Sequence, residues 1–186
     1  MIKRKNVRKK VLLFICTIVL SFQAFTATAF ASSTYLNVEK ISQEKGQWCW
    51  AASSKCVIDY LKQVYPTQSD IVTFIFGSPV DEGGTIVDIQ NVLSKYNVTS
   101  TINYASVSYA TTKDNISGWY SPMIALETDK IFGGGHAVVI YGYNETSTSQ
   151  NISYMDPGNG GLFSDTYGHF SSNLSSAWVG TVYYNH

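Results

Sequence analysis

The sequence predicts an α+β fold with a helical half first and a strand-rich half second. Two observations carry this. Between residues 50 and 96, apolar side chains recur at three- and four-residue spacing, the period of a helix with one buried face. Beyond residue 99 the pattern changes to short runs rich in β-branched and aromatic residues, separated by Gly, Pro and Asn turns. Helices followed by strands, rather than alternating with them, favour two lobes over a parallel α/β sheet.

The elements follow in order. Lys3, Arg4, Lys5, Arg8, Lys9 and Lys10 precede an apolar run over residues 11–22 and the small-residue stretch Ala27-Thr28-Ala29-Phe30-Ala31. That is the layout of a signal peptide over residues 1–31, leaving one domain over 32–186 and a secreted protein. Thr17, Ser21 and Gln23 interrupt the apolar run, which is shorter than the roughly 20 residues needed to span a bilayer. In the domain, Ala52, Cys56, Val57, Tyr60, Leu61 and Val64 mark a helix over residues 50–64. A second helix over 68–76 is entered through Pro66-Thr67 and stopped by Gly77. A third over 85–96 turns Ile86, Ile89, Val92 and Leu93 inward. Strands are predicted over 99–107, 123–127, 137–143, 152–155 and 178–184.

Loss of the leader changes the charge. All 13 acidic residues lie downstream with only 7 basic ones, a formal charge of −6. No basic patch suggests a nucleic acid or an anionic membrane surface as partner, and no stable membrane association is expected after cleavage. A monomer is expected. No His/Cys/carboxylate cluster has metal-ligand spacing, so neither metal nor cofactor is implied. Cys49 and Cys56 are the domain's only cysteines. Seven residues apart on one helix, about 10 Å along its axis, they cannot form a disulfide. Two free thiols are unusual in a secreted domain unless one is used.

Cys49 directly precedes the first helix, where the positive end of the dipole favours thiolate over thiol. Thiolate is the nucleophilic form and needs a base within reach, itself oriented by a third group. Of three histidines, His186 is the terminal residue and is expected to be mobile, and His169 lies in the aromatic turn Tyr167-Gly168-His169-Phe170. His136 follows Gly133-Gly134-Gly135 and opens the apolar strand Ala137-Val138-Val139-Ile140-Tyr141, so it is the best available base. Asp156 closes the next strand and precedes Pro157. A hairpin brings the start of its first strand beside the end of its second, so His136 and Asp156 should meet. Asp also initiates such turns by itself, and the two roles are compatible. Cys56 falls on the apolar stripe and reads as core.

The segment Gln43-x5-Cys49-Trp50-Ala51, the strand GGGHAVVIYGY over 133–143 and the Asp156-Pro157 step resemble, in that order, the papain-like cysteine peptidases, and Pro66-Thr67-Gln68 with the short helix after it adds to the likeness. The match is to their compact bacterial branch, typified by AvrRpt2-like and C39-like peptidases, and it covers about residues 41–158. It implies a papain-like fold with an N-terminal helical lobe, a C-terminal antiparallel β lobe and the cleft between them. It also implies a thiol hydrolase acting on protein or peptide. Cys49 would be its nucleophile, His136 its base, Asp156 the orienting carboxylate and Gln43 an oxyanion donor. Trp48 and Trp50 are expected to pack within the lobe. Two departures are an Asp where papain has Asn and the lack of a disulfide-bonded helical lobe. The same machinery would serve an amidase or transamidase on cell-wall or isopeptide bonds, and the fold alone would serve a non-catalytic binding or toxin-like module.

Overall fold

A computed structural model describes residues 31–131 and 133–184. Residues 1–30, on which the expected signal peptide falls, and Phe132, Asn185 and His186 lie outside the described residues. The three expected helices are α1 (Cys49–Lys62), α2 (Gln68–Phe76) and α3 (Ile86–Lys95). Two of them start on complete capping boxes. Thr67 accepts from the Asp70 N–H and its own N–H donates to the Asp70 carboxylate; Thr85 and Asp88 do the same for α3. Gly77, at φ 76°, ends α2 in a left-handed cap open to glycine at little cost. Helix α1 is different. Its N-cap, Trp48, supplies no side-chain bond, and no acidic residue stands in its first turn. It stops at Lys62, two residues early, because Gln63 turns left-handed at φ 53° and its N–H closes on Asp59 O. Trp50, Ala51, Ala52, Ser53, Ser54, Cys56, Val57, Ile58 and Asp59 are all buried, so α1 is enclosed rather than laid on the surface.

The sheet has seven antiparallel strands: β1 (Ser32–Tyr35), β2 (Ser100–Asn103), β3 (Met123–Asp129), β4 (Gly135–Glu145), β5 (Gln150–Asp156), β6 (Gly161–Thr166) and β7 (Ser176–Tyr184). Their order is β2-β7-β3-β4-β5-β6, with β1 joined to β4. Strand β4 is central. Its first half pairs with β3, from His136 opposite Glu127 to Ile140 opposite Met123. Its second half pairs with β1, from Gly142 opposite Tyr35 to Glu145 opposite Ser32. A Cβ on Gly142 would lie 2.6 Å from the Tyr35 ring, so only glycine lets the two strands come this close. Ala137, Val138, Val139 and Ile140 are buried to 1% exposure or less, a continuous apolar run that α1 covers.

Four features depart from the expectation. The first described residues form β1, so the helical half begins with a strand of the β lobe. The strand predicted over 99–107 shortens to β2. Helix α4 (Tyr109–Lys113) continues into a π-helical turn (Asp114–Gly118). The stretch around His169, read as a turn, is the one-turn helix α5 (Tyr167–Ser171) following the unforeseen β6. Tertiary packing explains β6 and α5. Phe163 stacks on Tyr154 at 5.7 Å, and Phe170 packs on both Tyr154 and Trp178 at 5.0 and 5.5 Å. Among the described residues, no helix is long and apolar enough to cross a membrane.

Candidate active site

The loop before α1 and the helix's first turn are stapled to residues 79–82 by four bonds. Lys45 Nζ donates to Pro79 O at 2.6 Å, Gln47 N to Asp81 Oδ1 at 2.9 Å, Trp48 Nε1 to Val80 O at 2.8 Å and Trp50 Nε1 to Glu82 O at 3.1 Å. Both indoles are 1% exposed, so they hold the lobe together as expected and leave the surface to other residues. A Cβ on Gly84 would come within 2.4 Å of the Trp50 ring, which explains the glycine there.

This loop delivers Cys49 to the first position of the uncapped helix, partly exposed. Its sulfur bonds to His136 and accepts from the backbone N–H groups of Ala137 and Trp50. Burial pushes the thiol pKa up, but the His136 bond, the Ala137 N–H, the imidazolium charge and the Trp50 N–H together bring it below the ordinary value of 9.0. The Trp50 N–H is one of the groups that a capping side chain would otherwise have taken.

His136 opens the buried run of β4, and its Nε2 lies 2.7 Å from Asp156 Oδ1. The other ring nitrogen, Nδ1, is therefore the one left for the thiol. The bond to Asp156 and then the bond to Cys49 raise the imidazole pKa from 6.5 to about 10, against an opposing push from burial. Asp156 is held below 3.8, first by the His136 bond and, after an opposing burial effect, by the Gly158 N–H, which donates to Oδ1 at 2.8 Å. The carboxylate thus initiates the Asp-Pro turn and meets His136 with the same oxygen. Cys49, His136 and Asp156 lie together, with a third or so of the His136 and Asp156 side chains open to solvent.

Gln43 lies in the same loop, but its amide faces that loop. Nε2 donates to Lys45 O at 2.8 Å and Gly46 O at 2.7 Å. Its backbone N–H donates to Pro157 O at 2.8 Å, joining the nucleophile segment to the turn that carries Asp156.

Neither Ser53 nor Glu127 was singled out from the sequence. Ser53, one turn beyond Cys49 and fully buried, donates from Oγ to Ala137 O at 3.1 Å. Helix α1 therefore grips Ala137 on both sides: its N–H through the Cys49 sulfur and its carbonyl through Ser53. A serine one helical turn from the cysteine was the available clue, and only the fold supplies its partner. Glu127 stands opposite His136 on β3, and burial pushes its carboxyl pKa up. Cys56 is fully buried; burial, then the Asp59 and Glu39 charges, lift its thiol to about 12, and its sulfur sits 3.6 Å from Glu39 O. His169 is exposed on α5 and pairs with Asp165. Among the described residues, no group of three or more His, Cys, Asp or Glu could hold a metal ion.

The fold has solved counterparts. The peptidase domain of Streptococcus ComA, a bi-functional ABC transporter involved in a quorum sensing pathway, matches with a TM-score of 0.54 at 14% identity, over 81% of this chain and 96% of that one. A structure from a study of antibody cross reactivity between the mite allergens Blo t 1 and Der p 1 matches at 0.58 and 12%, over 88% and 74%. UfSP from C. elegans matches at 0.56 and 13%, over 88% of this chain but 36% of that longer one. At such identities these likenesses show the fold alone. No curated protein matches in sequence. The sequence profile described as papain-like cysteine protease AvrRpt2, however, matches residues 32–175. With that match spanning most of its length, the chain belongs to the family of the papain-like cysteine protease AvrRpt2.

Proposed function

We propose that the protein is a secreted, monomeric cysteine peptidase that hydrolyses peptide bonds through Cys49, His136 and Asp156. The observation that carries this reading is the chain of contacts from an uncapped helix N-terminus through the Cys49 sulfur to His136 and on to Asp156. The thiolate of Cys49 attacks the carbonyl carbon, and the carbonyl π pair moves onto oxygen. His136, protonated at Nδ1, gives that proton to the leaving amine as the C–N bond breaks. Water then attacks the thioester, with neutral His136 taking its proton, and the acid product leaves as the thiolate–imidazolium pair is restored. Asp156 keeps Nε2 protonated and stabilises the imidazolium.

Gln43 and the Cys49 backbone N–H are the donors assigned to the tetrahedral oxyanion. In the resting loop the Gln43 amide is spent on Lys45 O and Gly46 O, so it exchanges one of these for the oxyanion during the reaction. Gln43→Ala should lower kcat by about 10²–10³-fold, the usual loss on removing one such donor, while leaving the alkylation rate of Cys49 unchanged.

The decisive experiment incubates purified protein with casein, with peptidoglycan, and with peptide plus an added amine. Cleavage of casein blocked by iodoacetamide supports the peptidase. Release of fragments from peptidoglycan alone, or acyl transfer to the amine, would move the reaction to the amidase or transamidase class. A Cys49 that resists iodoacetamide at neutral pH would leave only a non-catalytic module.

A further inference from the structure

Gln68 opens helix α2 and is only 2% exposed. Burying a carboxamide is costly unless both of its ends are bonded. Here both are: Oε1 accepts from the Glu44 N–H at 3.0 Å, and Nε2 donates to Ser42 O at 2.8 Å. The two backbone groups flank Gln43, whose own N–H is taken by Pro157 O at 2.8 Å. An irregular loop is thereby fixed at three successive residues, from the helical side by Gln68 and from the β side by the turn beyond Asp156. A buried apolar residue of similar volume would satisfy a packing need alone, so the carboxamide points to those two bonds.

We propose that Gln68 is a positioning residue for transition-state stabilisation. It holds the peptide groups on either side of Gln43 so that the Gln43 amide reaches the developing oxyanion without a search through loop conformations. The inference rests on the reading of Gln43 as an oxyanion donor. Its physical basis is that a backbone already fixed on either side of Gln43 leaves only its side chain to swing from Lys45 O or Gly46 O to the oxyanion, and that small displacements are costly in rate. Gln68 itself touches neither substrate nor sulfur.

The test compares Gln68→Leu, Gln68→Glu, Gln43→Ala and the double variant Gln43→Ala/Gln68→Leu on a fluorogenic peptide selected from a library. Two further readouts are affinity for a peptide aldehyde, whose thiohemiacetal carries an oxyanion, and alkylation of Cys49 by iodoacetamide, which builds none. Gln68→Leu should lower kcat about 10- to 100-fold with KM within about threefold, and aldehyde affinity should fall in step. Gln68→Glu keeps the acceptor for Glu44 and loses the donor for Ser42, so its loss should be smaller. Alkylation rate and its pH profile should match the wild type in all four. On the Gln43→Ala background, Gln68→Leu should cost less than about twofold more. A full additional loss on that background would overturn the positioning role while leaving the donor reading intact. So would an unchanged kcat in a merely less stable Gln68→Leu, or alkylation slowing in parallel. Wild-type kcat in Gln43→Ala alone would remove the donor reading and this inference with it. If Gln68→Leu fails to fold, Gln68→Glu and its double variant carry the same comparison.

Discussion

Cys49→Ala is expected to abolish hydrolysis and leave the protein folded. Removing a nucleophile from such a unit costs on the order of 10⁶ in kcat, because the remaining groups have nothing to activate. The change removes one sulfur from a partly exposed position, so thermal unfolding should move by no more than a few degrees. Cys56→Ala should do the reverse. That thiol is fully buried in the core, and its loss leaves a small void that lowers the melting temperature without lowering kcat. The two also differ in reactivity before any mutation. With Cys49 below the ordinary thiol value and Cys56 near 12, brief iodoacetamide treatment at pH 7 should modify Cys49 and spare Cys56, as read by peptide mass spectrometry. Equal loss of activity in the two alanine variants would mean that the nucleophile has been misassigned.

Asp156→Asn is expected to have the second-largest effect, a fall in kcat of about 10²–10⁴-fold, the range of general acid–base catalysis. On the proposed mechanism the reactive form is the thiolate with protonated imidazole. It exists between the lowered Cys49 pKa and the raised His136 value of about 10, so the wild-type profile should hold its alkaline limb near pH 10. The bond to Asp156 is the largest cause of that elevation, so removing the carboxylate should bring the alkaline limb down toward 6.5. Stability follows the same linkage. His136 is raised on folding, so its contribution is complete below pH 6.5 and is lost as pH rises through about 10. Asp156 is depressed on folding, so its contribution is present above 3.8 and is lost on acidification. The stability gap between wild type and Asp156→Asn should therefore be widest between about pH 4 and 6.5, and denaturant titrations across pH will measure it. An alkaline limb unmoved in Asp156→Asn would show that this carboxylate does not hold the imidazolium.

What could be read from the sequence, and what could not, follows from the range of the interactions. Helices α2 and α3 were legible because their starts are local: Thr67 with Asp70 and Thr85 with Asp88 lie three residues apart. Cys49, His136 and Asp156 were legible because each stands at the edge of an element whose period is visible. Strand β1 was not, since its four residues acquire their register only from 142–145. Strand β6 and helix α5 draw their order from Tyr154 and Trp178 rather than from their own pattern. The partners of Ser53 and Gln68 escaped for the same reason, because both bond to backbone, which has no sequence signature, at Ala137 and at Ser42 and Glu44. The direction of the Gln43 amide is likewise a property of the closed loop.

Strand β4, which starts at the imidazole and ends against β1, has a consequence for the time at which the protein becomes reactive. The thiol is synthesised early in the chain, whereas the histidine that lowers its pKa and the aspartate that holds that histidine come from its later third. Contacts this distant in sequence form slowly, after much loop-closure entropy has been overcome. Until then Cys49 is an ordinary cysteine, mostly protonated at neutral pH and a weak nucleophile. On the proposed mechanism, reactivity therefore switches on only once β4 has brought His136 to α1. A nascent or partly unfolded molecule would then hold the proposed nucleophile without the means to use it on its neighbours.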